Sequence, residues 1–156
     1  MTFGALGGRA DVMSAFDPER GGTMTHGGTF NNNVVTMAAG AAATSELLDE
    51  ATLDALFARG EWFRNEIAAV LDASPLPMCV TGYGSLMNLH TVAGPVRSPH
   101  DLDASDPALK EFVFHELLDR GFYLAARGYM ALSAAITDAD CTAFVETLAD
   151  ITGQVP

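Results

Sequence analysis

The stretch HGGTFNNNVVTMAAG, residues 26–40, runs two glycines and a threonine through three asparagines into a run of small apolar residues that favours a helix. Such a junction suits a phosphate. Backbone N–H groups at a helix entrance are unpaired, the macrodipole is positive there, glycines admit a ligand close to the backbone, and the Thr29 hydroxyl adds a donor. The same letters also have a plainer reading. Asn31, Asn32 and Asn33 are good helix caps and Gly27 and Gly28 are ordinary turn residues, so a capped helix after a loop needs no ligand.

Upstream of this junction, residues 1–8 read as a strand and glycine turn, and residues 9–16 as a short helix with Val12, Met13 and Phe16 on one face. Residues 17–28, with Pro18, Gly21, Gly22, Gly27 and Gly28, form the one breaker-rich segment and are the best candidate for a boundary or a mobile element. Downstream, a helix is predicted over 33–48. Asp49 then caps a second helix, whose stripe of Leu53, Leu56, Phe57, Phe63, Ile67, Val70 and Leu71 is assigned to the core. Pro75 and Pro77 end that helix, and residues 78–81 and 85–92 read as antiparallel strands joined through Gly82 and Gly84. Asp106 as N-cap and Pro107 at the first helical position open a helix closed by Gly121, with Leu109, Phe112, Val113 and Leu117 as its apolar face. Residues 122–126 and 129–133 are the next predicted strands. Thr137 with Asp140 caps a last helix carrying Phe144, Val145 and Leu148. This order makes an α+β layer of helices on a short, largely antiparallel sheet.

The chain has 156 residues, 49% of them hydrophobic, enough for a core. Twenty acidic side chains against eight basic ones leave a net charge of −12, which argues against binding a phosphate backbone and hence against nucleic acid as a partner. No apolar run approaches the ~20 residues of a spanning helix, and residues 1–8 lack the features of a signal peptide. A cytoplasmic protein is expected. Cys79 and Cys141 have no CxxC spacing and lie among apolar residues, so they read as buried thiols in a reducing compartment. His115-Glu116 lacks the second histidine one turn later that a zinc protease helix requires, since position 119 is Asp119. GALGG at 4–8 lacks GxGxxG spacing, and there is no GxSxG elbow.

Several stretches together resemble one family. Residues 26–40 are similar to the loop and following helix of class III aminotransferases, enzymes dependent on pyridoxal 5'-phosphate (PLP), where a motif of the type HG(P/G)TF-x-x-N leads into an Ala-rich helix. TFGALGGRADVM at 2–13 resembles the segment just after that family's cofactor lysine. TGYGSLMNLH at 81–90 resembles a strand pair of its C-terminal domain, and LLDRGFYLAARGYMALS at 117–133 its last strands. The branch containing glutamate-1-semialdehyde aminomutase is the nearest in flavour. The resemblance implies the small C-terminal domain of a PLP fold type I enzyme: residues 1–30 as a remnant of the large domain, its last strand and loop, and residues 31–156 as an inter-domain helix and the small domain. It implies Gly28 and Thr29 at the PLP phosphate, usually that of the neighbouring subunit in a homodimer. Gly27 falls near the substrate, and Arg127 is placed to bind a substrate carboxylate bidentately, although a solvent-exposed arginine before Gly128 accounts for the same residues.

PLP chemistry needs a lysine amine to hold the cofactor and move protons. The single lysine, Lys110, lies in the first turn after Pro107, where a solvated side chain is expected. In the resembled family the cofactor lysine, the cofactor aspartate and the ring-stacking aromatic would all precede residue 1, so no catalytic residue is assigned within this chain. It therefore reads as the C-terminal portion of an amino-group-transferring enzyme acting on an amino/keto acid-type substrate, inactive by itself. The competing expectation is a non-catalytic module that binds an intact aminotransferase subunit through the helix of residues 31–48. The substrate, and the choice between transaminase and aminomutase, are not legible.

Overall fold

The elements fall into two units, Met1–Asp49 and Glu50–Pro156, across the residues that the computed structural model describes: 3–22, 24–29, 31 and 33–154. In the first unit, helix α1 (Ala10–Met13) tightens into a 3₁₀ turn, Ser14–Phe16. Residues 3–8 form no strand, contrary to expectation; the predicted Met1 and Thr2 lie outside the described residues. A strand needs a neighbour to take its backbone N–H and C=O groups, and the first unit has no other strand among its described residues. Phe3 instead packs its ring over Gly40, where an added Cβ would come within 3.0 Å of it.

Helix α2 (Val34–Ala42) starts where Asn33 Oδ1 accepts a hydrogen bond from the Thr36 N–H at 3.1 Å, so the cap belongs to Asn33. Asn32 lies outside the described residues. The helix does not run regularly to Leu48. Residues Ala43–Leu47 form a π-helical turn, in which the Leu48 N–H reaches back five residues to the Ala43 carbonyl at 3.0 Å. Thr44 and Ser45 donate their hydroxyls to the Gly40 and Ala41 carbonyls at 2.9 and 2.8 Å, a side-chain competition that loosens the ordinary helical ladder.

The second unit begins with the 24-residue helix α3 (Glu50–Ala73). Strands β1 (Cys79–Tyr83) and β2 (Leu86–His90) follow as an antiparallel pair with Cys79 opposite His90 and Tyr83 opposite Leu86. Helix α4 (Pro107–Asp119), strand β3 (Tyr129–Ala131) and helix α5 (Asp138–Gly153) complete it, the sheet order being β1-β2-β3. The caps expected at α4 and α5 form. Asp106 accepts from the Ala108 and Leu109 N–H groups at 2.8 and 3.1 Å. Thr137 and Asp140 make a reciprocal box at the entrance of α5. Gly121, at φ +91°, closes α4 with the Gly121→Leu118 and Phe122→Leu117 hydrogen bonds of a left-handed C-cap.

The core joins Phe63, Ile67 and Leu71 of α3 to Met87 and Leu89 of β2, Val113 and Leu117 of α4, and Phe144, Leu148 and Ile151 of α5. The apolar stripe of α3 is therefore buried only from Phe63 onward; Leu53 and Phe57, assigned to the core from spacing, are exposed, with Phe57 packed edge-on against Tyr83. Residues 122–126 do not form the expected strand. Phe122 and Leu124 turn inward onto the core as loop side chains, and the free edge of β2 is taken by Tyr129–Ala131. Cys141 is buried and Cys79 half-buried, both free thiols, and burial pushes both above the ordinary thiol value, with the Asp72 charge adding to the effect on Cys79.

Candidate functional site

Asp17 opens the turn that delivers the glycine segment. Its side chain accepts from the Glu19 N–H at 3.0 Å, Gly21 takes a left-handed φ of +73°, and the Gly22 N–H closes back onto the Asp17 carbonyl at 2.8 Å. The Met24 N–H then bonds the Ala15 carbonyl at 3.0 Å, and the His26 ring stands edge-on to Phe16. Gly27, Gly28 and Thr29 follow, all exposed. A Cβ on Gly27 would meet nothing within 4 Å, and one on Gly28 would meet only the Asn31 amide, at 3.0 Å. The Gly28 carbonyl is held by the Asn31 N–H at 3.0 Å, while the N–H groups of residues 27–29 and the Thr29 hydroxyl engage no acceptor among the described residues.

This is an approachable set of neutral donors and suits a phosphate. It is separate from the α2 entrance, which Asn33 caps, so the two readings of residues 26–40 apply to different residues.

Arg127 belongs to the second unit. The Gly128 N–H donates to the Ala125 carbonyl at 2.7 Å, which closes a tight turn with Ala126 and Arg127 at its tip, and the Gly128 carbonyl accepts from the Leu89 N–H at 2.9 Å, which pins that turn to β2. Gly128 is required here. Its φ is +89°, and a Cβ would stand 2.3 Å from the Leu89 carbonyl oxygen and 2.8 Å from Asn88 Oδ1, a buried atom with no hydrogen-bond partner. The turn leaves Arg127 exposed, and among the described residues no acid pairs with it, whereas Arg59, Arg64 and Arg120 are each paired. In a chain of net charge −12 an unpaired guanidinium is free to take a carboxylate in bidentate geometry. The sequence offered only Arg-Gly as a sign of this turn; the hydrogen bonds that fix it come from β2, distant in the chain.

Lys110 is half-buried, lining a crevice with Thr91, Phe114 and Ala126. Nearby His90 is buried, its Nε2 2.8 Å from Thr81 Oγ1, and burial together with the Lys110 charge pushes it below the ordinary histidine value. No helix among the described residues is long and apolar enough to cross a membrane.

Comparisons with known proteins bear on both segments. No family model matches the chain. The chain is 46% identical over 153 residues to the beta-phenylalanine transaminase of Variovorax paradoxus, covering 98% of this chain and 35% of that protein. A crystal structure of a beta-phenylalanine aminotransferase from the same organism superposes with a TM-score of 0.83 over 94% of this chain and 34% of the other. Identity to the glutamate-1-semialdehyde 2,1-aminomutase of Laribacter hongkongensis is 34% over 148 residues, covering 94% of this chain and 34% of that one. The resemblance is thus stronger to this transaminase than to this aminomutase. A transaminase with PLP bound matches with a TM-score of 0.74 at 27% identity, over 95% of this chain and 34% of its own. The chain spans about a third of the length of the relatives it matches.

Proposed function

Because the chain is related over nearly its whole length to the C-terminal part of PLP-dependent class III aminotransferases, we propose that it supplies two binding elements of such an enzyme. Gly28 and Thr29 contact the PLP phosphate, with Gly27 beside the substrate, and Arg127 takes a substrate carboxylate. The observation that carries this reading is a pair of donor sets without partners among the described residues: the N–H groups at 27–29 and the guanidinium at 127.

The residues present fit the phosphate of PLP and not its aldehyde. The only lysine is half-buried in α4, in a crevice lined by apolar side chains and Thr91. PLP supplies the electron sink for amino-group transfer; what this chain's residues do is bind and orient. Exposed N–H donors at Gly28 and Thr29 give an anion neutral hydrogen-bond partners, and the turn at Arg127 presents two parallel N–H groups to a carboxylate. The complete enzyme transfers an amino group between small amino and keto compounds, works as a cytoplasmic homodimer, and draws its cofactor lysine from a segment other than this one.

A second reading has an observation of its own. Val34 and Val35 of α2 are 80% and 58% exposed, an apolar face suited to docking on an intact aminotransferase subunit without catalysis. Two co-expressions separate them: the chain with the part of the Variovorax transaminase that it does not match, assayed for transamination, and the chain with the intact Variovorax subunit, assayed for a complex. Restored turnover supports the enzymatic reading; a stable but inactive complex with the intact Variovorax subunit, and no restoration, favours the module.

A further inference from the structure

Between residues 121–125, β3 and the start of α5, the second unit holds a cavity of about 490 Å³. Its floor is aromatic: the Phe144 ring meets Phe63 and Phe122 edge-to-face, with centroids 5.4 Å apart in each pair. Met130 and Leu132 form one wall, and the buried Cys141 lies at the base. Protein interiors are close-packed, with few voids larger than a water molecule. An opening of this volume lies in the range of small-molecule sites, which are largely apolar with a few placed polar groups.

Among the described residues, Asp140 is the one charged side chain that lines it. Its Oδ2 accepts from the Thr137 N–H at 2.8 Å and meets the Thr137 hydroxyl at 2.6 Å, while Oδ1 has no partner among the described residues. The Thr137 hydrogen bonds hold the carboxyl below the ordinary carboxylate range, so it is ionised at neutral pH. The cavity therefore joins an aromatic floor to a fixed negative charge at an exposed rim.

We propose that this cavity binds a small primary amine of the arylalkyl or alkyl type, its apolar body against Phe122, Met130 and Leu132 above the buried Phe63–Phe144 pair and its ammonium group at Asp140. A carboxylate of the same shape is repelled by Asp140, so the site is chemically the opposite of Arg127 and does not depend on PLP.

The test titrates the full chain with phenethylamine and, separately, with the anion 3-phenylpropanoate, which carries the same phenethyl body, following backbone amide shifts of Met130, Cys141 and Phe144 by NMR. Phenethylamine is expected to bind about fivefold or more tightly than 3-phenylpropanoate. Asp140→Asn, whose amide oxygen still accepts from the Thr137 N–H, is expected to abolish that preference while leaving residual apolar binding. Equal binding of amine and acid by the unmodified chain overturns the proposal, as does a preference that survives Asp140→Asn, or no binding of either compound. Amine binding that disappears as protein concentration rises also overturns it, because a second copy then covers the cavity.

Discussion

A Cβ placed on Gly60 would stand 2.1 Å from the carbonyl oxygen of Gly84. Helix α3 and the β1–β2 turn therefore meet backbone to backbone, and the contact is reinforced by the Gly84 N–H, which donates to Glu61 Oε1 at 2.9 Å. Neither glycine is free to change: Gly84 sits at φ +54°, and a Cβ there would enter the Phe57 ring at 2.6 Å. This close approach seats the sheet, and with it the Leu89 N–H that pins the Arg127 turn, on the longest helix.

Gly60→Ala sets two effects against each other. The helix gains about 1 kcal/mol of propensity, while overpacking against a backbone oxygen that cannot swing away costs about 3 kcal/mol. A net loss of about 2 kcal/mol in urea unfolding is expected; a stabilised variant would show that the two backbones do not touch.

Folding lowers several acid pKa values. The Arg64 guanidinium, then the Gly84 N–H, holds Glu61 below its ordinary value; the Arg97 and Ser98 N–H groups do so for Asp101. A depressed carboxylate contributes stability that is full above its unfolded value near pH 4 and is lost as pH falls through its folded value. His90 is depressed as well, by burial and then by Lys110, so its contribution is full above about pH 6.5 and declines below it. Urea midpoints measured from pH 8 to 3 should fall gently below about pH 6.5 and steeply below about pH 4, and Glu61→Gln should flatten the acid limb. Midpoints that rise on acidification would contradict these assignments.

Lys110 sits half-buried beside Thr91 and Ala126 and is the chain's only lysine. Mixing the chain with PLP should give no imine absorbance that depends on it, and spectra of Lys110→Ala should overlay those of the unmodified chain. A band lost in the variant would mean that this lysine holds the cofactor.

Helices with punctuation were legible, because Asp106-Pro107, Gly121 and the Thr137/Asp140 pair act locally and their hydrogen bonds lie within a few residues. Strands β1 and β2 were legible because Gly84 breaks two apolar runs; Gly82, expected in the connection, is instead a paired residue of β1 opposite Met87. Residues 122–126 carry the same apolar signal, yet pairing depends on which segment reaches the edge of β2, and Tyr129–Ala131 does. Residues 3–8 failed as a strand for want of a neighbour, and Thr44 and Ser45 turned the end of α2 into a π-helical turn through hydroxyls whose direction the sequence does not specify. In the candidate site, Gly27 to Thr29 stood out by their motif, whereas the Arg127 turn and the Phe144 cavity arise from contacts distant in sequence.

Val34, Val35 and Leu47 on the α2 segment are exposed at 80%, 58% and 67%. Exposed apolar side chains of this kind promote association. The purified chain should bind a hydrophobic dye and sediment partly as oligomers, with Val34→Lys and Val35→Lys together reducing both. A dye-negative, monodisperse monomer would contradict this.

The central claim is that Thr29 contacts a phosphate, and PLP affinity in the complemented Variovorax assembly tests it most directly. Thr29→Val keeps the side-chain shape and removes one donor to a charged oxygen, at a cost of about 1.5–3 kcal/mol, or about tenfold to a hundredfold in PLP dissociation constant. The Tm of the apo form should not move, because Asn33 caps α2 without help from Thr29. The account predicts weakened PLP binding at unchanged apo Tm. A lowered apo Tm, with PLP affinity within about a factor of two of the unmodified assembly, would make Thr29 structural and contradict it.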